Sequence, residues 1–264
     1  RLDGVAIINE FFGFRVDNLD VLDDHPYVEG LYLDPTGVDI AAALRLPRLR
    51  LLVLGTVDQD IDCNALPDLE VASFNWWTDL PQGRVILPEQ SDCLENLGLH
   101  GYRRRLRDFS ELRGLRALRS LRVHPSNVTS LSGAEGLVSL EKLLIAYLRS
   151  LTDVSALAVG LPRLRNVEIS HCPKLRDLSP LSACRSISWL LVNDCKEIES
   201  IRFILDLPEL EVLRLVGTRV ADGDMTPILE HPRLRDVGLD HKPHYSHGKR
   251  ELMAAAAARA ASAG

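Results

Sequence analysis

The sequence predicts an α/β solenoid: a curved, horseshoe-shaped stack in which a parallel concave sheet of about ten strands is backed by short helices or 3-10 turns. Three observations predict it. First, the pattern apolar-x-x-apolar-x-apolar-x-x-Cys/Thr recurs in "LRNVEISHCPKL" (164–175), "ISWLLVNDCKEI" (187–198) and "LEVLRLVGTRV" (210–220), so that Cys172, Cys195 and Thr218 stand 23 residues apart. Second, the same template fits segments beginning at 28, 49, 69, 94, 118, 140 and 234, which makes ten copies at spacings of 20–25 residues. Third, the apolar-x-apolar centre of each copy has the period of two of a half-buried strand. No unit of this size buries its apolar edge alone, so neighbours must stack and share one core.

The elements follow in chain order. Residues 1–27, with "FFGF" and "NLDVLDDHP", are expected to cap the open N-terminal edge. Residues 28–242 hold the repeats, one strand per copy; at ~4.8 Å per strand the concave sheet is roughly 45–50 Å long. The variable halves "LTDVSAL" (151–157) and "LRDLSPL" (175–181) read as short 3-10 or irregular turns, and "VADGDMTPILEHP" (220–232) is the best helix candidate. Residues 243–264 are expected to form a C-terminal cap and an alanine-rich helical or frayed tail, since an undocked helix of that length is marginal.

These copies resemble the leucine-rich repeat family, whose consensus is LxxLxLxxN/C. The resemblance covers roughly residues 28–242. The "DLSPL" turn is similar to internalin-type repeats, and Cys172 and Cys195 to cysteine-containing intracellular ones. The cluster "VEISHCPKLRDLSPL" (167–181) is therefore a repeat and not a site, with Cys172 and Cys195 as buried structural thiols. The departure is in the N-terminal half, where the asparagine position holds Val57, Trp77, Tyr102 and Leu148. An asparagine ladder cannot run there, and local irregularity or bulging is expected around the third, fourth and sixth repeats.

Composition bounds the function classes. No run reaches the ~18 apolar residues of a membrane span, and no leader is evident in "RLDGVAIINEFFGF". Five scattered cysteines without a CxxC pair argue against a disulfide framework or zinc module and for a reducing, cytoplasmic setting. Charge is uneven: residues 1–100 hold 6 Lys and Arg against 18 Asp and Glu, a net −12, and residues 101–264 hold 25 against 19, a net +6. The excess matches "GYRRRLRDFSELRGLRALRSLR" (101–122), where arginines interleave with Tyr102 and Phe109. That stripe suits an acidic protein partner, or the acidic end of another copy, better than nucleic acid, given the acidic whole. No phosphate loop, GxSxG or HExxH is present, and three histidines in "HKPHYSH" (241–247) read as a capping loop.

The template also assigns the concave face. The residue between the last two apolar positions gives one row containing Tyr32, Val53, Arg122, Leu144, Glu168, Leu191 and Arg214; the next outward row contains His100 and His124; the third contains Trp76, Tyr147, His171 and Asp194. Leu51, Val71, Trp189 and Val212 add to two apolar patches, Tyr32 to Trp76 and Leu144 to Val216. The resemblance implies a non-enzymatic module that binds a protein or peptide on this face, with no cofactor. The expected contact residues are Tyr32, Val53, Trp76, His100, Arg122, His124, Tyr147, Glu168, Trp189, Leu191, Asp194 and Arg214. A narrower alternative is an inhibitor or immunity protein that neutralises a toxin domain. A competing class is a metal-dependent enzyme using His100 and His124, whose side chains would lie ~5 Å apart in adjacent strands. Self-association through opposite charges is a third.

Overall fold

The computed structural model describes residues 5–8, 18–33, 38–76 and 83–262. Its strands are β1 (Val5–Ile8), β2 (Gly30–Leu33), β3 (Leu51–Leu54), β4 (Ile61–Asp62), β5 (Val71–Asn75), β6 (Val85–Ile86), β7 (Asn96–His100), β8 (Ser120–Val123), β9 (Lys142–Ala146), β10 (Asn166–Ser170), β11 (Trp189–Asn193), β12 (Lys196–Ile198), β13 (Val212–Leu215), β14 (Thr218–Val220) and β15 (Asp236–Leu239). Eleven of them form one parallel sheet in the order β1-β2-β3-β5-β7-β8-β9-β10-β11-β13-β15. The pairs β4/β6 and β12/β14 are short separate ladders. This is the expected α/β leucine-rich repeat solenoid, with one strand more than the template finds. The extra strand is β1, inside the segment read as a cap. Its register pairs Val5 with Gly30; in the sequence Asp3 stands two residues before Val5, where the other copies have an apolar residue, so the copy escapes the pattern. The "FFGF" stretch, the ladder position Trp77 and the concave positions 34 and 35 lie outside the described residues.

Period two explains the packing. Leu31, Leu52, Ala72, Leu97, Leu121, Leu143, Val167, Leu190, Leu213 and Val237 stand opposite one another across the sheet and are all buried. The row two residues on, from Leu33 through Phe74 and Ile169 to Leu239, is buried as well. Each such side chain contributes about 1.5–3 kcal/mol relative to an exposed one, so the two rows form a continuous core shared by all repeats. The register pairs residues one to one through β5, β7 and β9, with no bulge in the sheet. The expected irregularity at those repeats is therefore corrected.

The reason lies at the ladder position. In the C-terminal half, the Thr218 hydroxyl donates to the Val192 carbonyl at 2.8 Å and accepts the Cys195 N–H at 3.1 Å. The Cys195 and Cys172 thiols reach backbone oxygens of Asn193 and Ser170 at 3.2 and 3.4 Å. All five cysteines are free. In the N-terminal half, aromatic rings replace polar ladder groups. Phe74, Trp76, Tyr102 and Phe109 follow one another with centroids 6.2, 6.3 and 6.5 Å apart, and all are buried. The Arg104 guanidinium lies over the Trp76 and Tyr102 rings, 5.8 and 5.0 Å from their centroids. Backbone groups there bond to the next repeat's chain: Trp76 N–H to His100 O at 2.8 Å and Tyr147 N–H to Ser170 O at 2.9 Å. Apolar volume and backbone pairing together do the ladder's work, without bending the strands.

On the convex side the chain returns through 3-10 turns, including Ser110–Leu112, Ser155–Val159 and Ser179–Ala183. The aspartate of the D-x-S signal starts each one. The carboxylates of Asp108, Asp153 and Asp177 accept the N–H two residues on, at 3.1, 2.8 and 2.8 Å, an Asx turn that redirects the chain. The helices are α1 (Ala41–Leu44), α2 (Thr226–Glu230) and α3 (Lys249–Ser262). Helix α2 lies within the expected helical stretch. Helix α3 is docked, burying Leu252 and Ala256 and donating from Arg259 to the carbonyls of Leu234 (3.2 Å) and Leu229. The residue preceding each of six strands makes a charged column, Glu29, Arg50, Glu70, Glu95, Arg119, Glu141, with contacts of 2.7 Å for Arg50–Glu70 and 2.8 Å for Arg119–Glu141. Such surface pairs contribute only ~0.2–1 kcal/mol each.

Candidate functional site: the concave face

The parallel register sets the concave face. Tyr32, Val53, Ser73, Gly98, Arg122, Leu144, Glu168, Leu191, Arg214 and Gly238 form one unbroken row. Trp189 lies in the row two residues earlier, and His100 and His124 in the row two residues later. Over β8–β11 the face dips into a depression of about 220 Å³ lined by Arg122, Lys142, Leu144, Asn166, Glu168 and Trp189, among others. A trough beside Trp189 and Val212 continues it. Of the expected contact residues, Tyr32 and Val53 stand apart at the N-terminal end. Leu191 follows Trp189 on β11, and Arg214 is engaged by Asp236, its guanidinium holding both carboxylate oxygens. Lys142 and Asn166 are not among the expected contacts, although the register sets Asn166 opposite Trp189 and Lys142 opposite Asn166.

The third row is a rim, and at three of its positions the backbone bends left-handed. Tyr147, His171 and Asp194 have φ of +59°, +53° and +51°, where Gly101 and Gly217 occupy the equivalent positions in other repeats. This left-handed bend leaves Tyr147 46% exposed. Its ring stacks on His171 at 4.3 Å, and the His171 Nε2 lies 3.7 Å from Asp194. Trp76 occupies the same row without the left-handed bend. Its ring turns into the core instead, 6% exposed, and its indole N–H donates to the Gly83 carbonyl at 2.9 Å. Trp76 is thus corrected from a contact residue to a core residue. Tyr102 and Phe109, read as rings interleaved with a basic stripe, are buried too. They offer no stacking surface, and Arg104, Arg113 and Arg119 of that stripe pair with Glu111, Glu135 and Glu141.

The histidine pair is close: the His100 and His124 rings meet edge to face at 4.2 Å. Burial, with the nearby His124 and Arg122 charges, holds His100 down to about 4. Burial and Arg122 also hold His124 below the usual imidazole range, with Glu168 opposing. Among the described residues no group of three or more His, Cys, Asp or Glu is placed to hold a metal. The arrangement therefore presents neutral imidazole edges at neutral pH. Because a depressed base is protonated first in the unfolded chain, its stabilising contribution is complete above pH ~6.5 and is lost as pH falls toward about 4. The urea midpoint is expected to fall from pH 6.5 to 5, and to fall less in His100→Gln. A variant with the wild-type slope would show that His100 takes no part. In the C-terminal loop, the His244 Nε2–H donates to the Val220 carbonyl at 2.8 Å and the Tyr245 hydroxyl accepts the Val220 N–H at 3.0 Å, both structural contacts.

Stacked parallel strands, turns on the convex side and a ladder of Ser, Cys and Thr define the fold as a leucine-rich repeat solenoid. No protein-family model matches the sequence. The disease resistance protein RPP2A of Arabidopsis thaliana is 27% identical over 132 residues, 48% of this chain and 10% of that protein. A probable disease resistance protein of the same plant is 29% identical over 89 residues, covering 34% of this chain and 8% of its own length. The chain thus spans about a tenth of the length of the curated relatives it matches. Among solved structures, the leucine-rich repeat domain of the type III effector XopL is similar at a TM-score of 0.60 and 20% identity, over 86% of this chain and 81% of that one. An internalin from Listeria monocytogenes aligns at a TM-score of 0.44 and 17% identity, over 83% and 77%. No helix among the described residues is long and apolar enough to cross a membrane.

Proposed function

We propose that this chain is a non-enzymatic interaction module that takes a protein or peptide partner on its concave face. One observation carries the reading: half-buried Leu144 and Trp189 line a depression beside exposed Arg122 and Lys142, all on strands whose register fixes their spacing. Apolar anchors on a rigid, polar-rimmed surface are where binding energy concentrates, and strands packed on a common core need no reorganisation to present them. The histidine pair supports this reading over catalysis, since two imidazoles held neutral lack the further ligands that a metal-activated water requires. Affinity capture from extract of the source cells with wild type and with Leu144→Glu/Trp189→Glu tests it. The expected result is a protein retained by wild type and lost by the variant, with circular dichroism and urea midpoint preserved. Capture of the same set by both proteins would overturn the concave assignment.

A further inference from the structure

We infer that the concave depression receives an acidic segment of a partner protein, with a carboxylate side chain on Arg122 and Lys142 and a large apolar side chain of the same segment against Leu144 and Trp189. The inference rests on the reading of this face as an interaction surface and adds the chemistry of what it takes.

The charge pattern of the sheet is the starting point. Several arginines on or beside the strands have acidic neighbours: Arg50 lies between Glu29 and Glu70, Arg119 meets Glu141, and Arg214 meets Asp236. Arg122 and Lys142 are both exposed, and neither makes an ion pair among the described residues. The register sets Ser120 opposite Lys142 and Arg122 opposite Leu144, so the two cations stand diagonally on adjacent strands. Like charges at such range repel, and the nearest carboxylate by register, Glu168, stands diagonal to Lys142 on β10 without forming an ion pair with either cation. The field of Arg122 reaches both neighbouring histidines, which it helps to keep unprotonated.

The depression supplies the second half of the recognition. Leu144 and Trp189 are half-buried and give it an apolar wall directly beside the two cations. Glu168 lies one strand beyond Leu144, in the same row as Arg122. A carboxylate is therefore drawn to one end and repelled from the other, which gives a bound segment a direction. Arg presents a planar fork that matches a carboxylate in two parallel hydrogen bonds. Two cations, an apolar wall and an opposing glutamate do not make the continuous basic track that a nucleic-acid backbone needs.

The test uses a phage-displayed library of random linear peptides selected on the intact wild-type chain. Enriched sequences are expected to carry Asp or Glu close to Trp, Phe, Leu or Ile. A synthetic copy of the best peptide should bind Arg122→Glu/Lys142→Glu roughly tenfold or more weakly, and changing its acidic residue to lysine should recover binding to that variant. Basic or neutral consensus peptides, unchanged affinity on charge reversal, or no enrichment would each overturn the inference. If peptides lacking an acid bind wild type, tolerate the charge reversal and are lost on Leu144→Glu/Trp189→Glu, the concave reading stands and the acidic one falls. Equal binding to all variants removes both.

Discussion

Trp76→Ala is expected to lower the free energy of unfolding by about 3–5 kcal/mol, whereas Trp189→Ala should change it by less than about 1 kcal/mol. The two tryptophans look alike in the sequence, each near the end or start of a strand on the face assigned to binding. Their surroundings differ. The Trp76 ring is buried between Phe74 and Tyr102 with the Arg104 guanidinium over it. Truncation would open a cavity in the aromatic column that takes the place of the polar ladder, and would strip the Gly83 carbonyl of its indole donor. Trp189 is half-buried on the concave face, where removal uncovers the strand but empties no core. Urea unfolding of both variants measures the contrast. A wild-type midpoint for Trp76→Ala would mean that the column contributes little and that Arg104 holds the repeat by its contacts with Glu111 and Val85 alone. A large loss for Trp189→Ala would make it a structural residue and weaken its use as an anchor.

The strand register was legible because ten copies repeat it, so an error in one is corrected by its neighbours. That redundancy is why the row from Tyr32 to Gly238 could be written down residue by residue. Lys142 and Asn166 are equally legible by register, but neither is aromatic nor part of a recognisable pair, so residue type does not single them out. Other features are set by local backbone geometry that a period does not encode. The left-handed bend at the rim residues Tyr147, His171 and Asp194, absent at buried Trp76, is one such feature. Strand β1 was hidden for a different reason: Asp3 interrupts the template, while backbone pairing to Gly30–Leu33 needs no particular side chain. The burial of Tyr102 and Phe109 under an arginine-rich stretch follows from stacking between repeats, which composition within one repeat does not reveal.

Gly133→Ala is expected to destabilise the chain by on the order of 3 kcal/mol and to split its unfolding into two transitions. Gly133 has φ +104° and starts the convex 3-10 turn Ala134–Gly136. A β-carbon there would sit 2.1 Å from the Phe109 carbonyl oxygen and 2.6 Å from the Ser110 nitrogen. Both are backbone atoms of the preceding repeat, so no rotamer change can relieve the contact, and the left-handed conformation adds its own cost for a residue with a side chain. The strain falls on the interface between two neighbouring repeats. Stability in a stacked array is close to a sum of intrinsic and nearest-neighbour terms, and weakening one interface near the middle uncouples the halves. In the sequence Trp76 and Trp77 precede the residues of that interface and Trp189 follows them, so fluorescence of Trp189→Phe and of Trp76→Phe/Trp77→Phe versions can follow each half. Gly248→Ala, where no atom lies within 4 Å of the added carbon, should cost less than about 1 kcal/mol and keep one transition. Coincident curves at wild-type midpoint for Gly133→Ala would mean that the turn can shift away from Phe109 and that the close approach is not what couples the repeats.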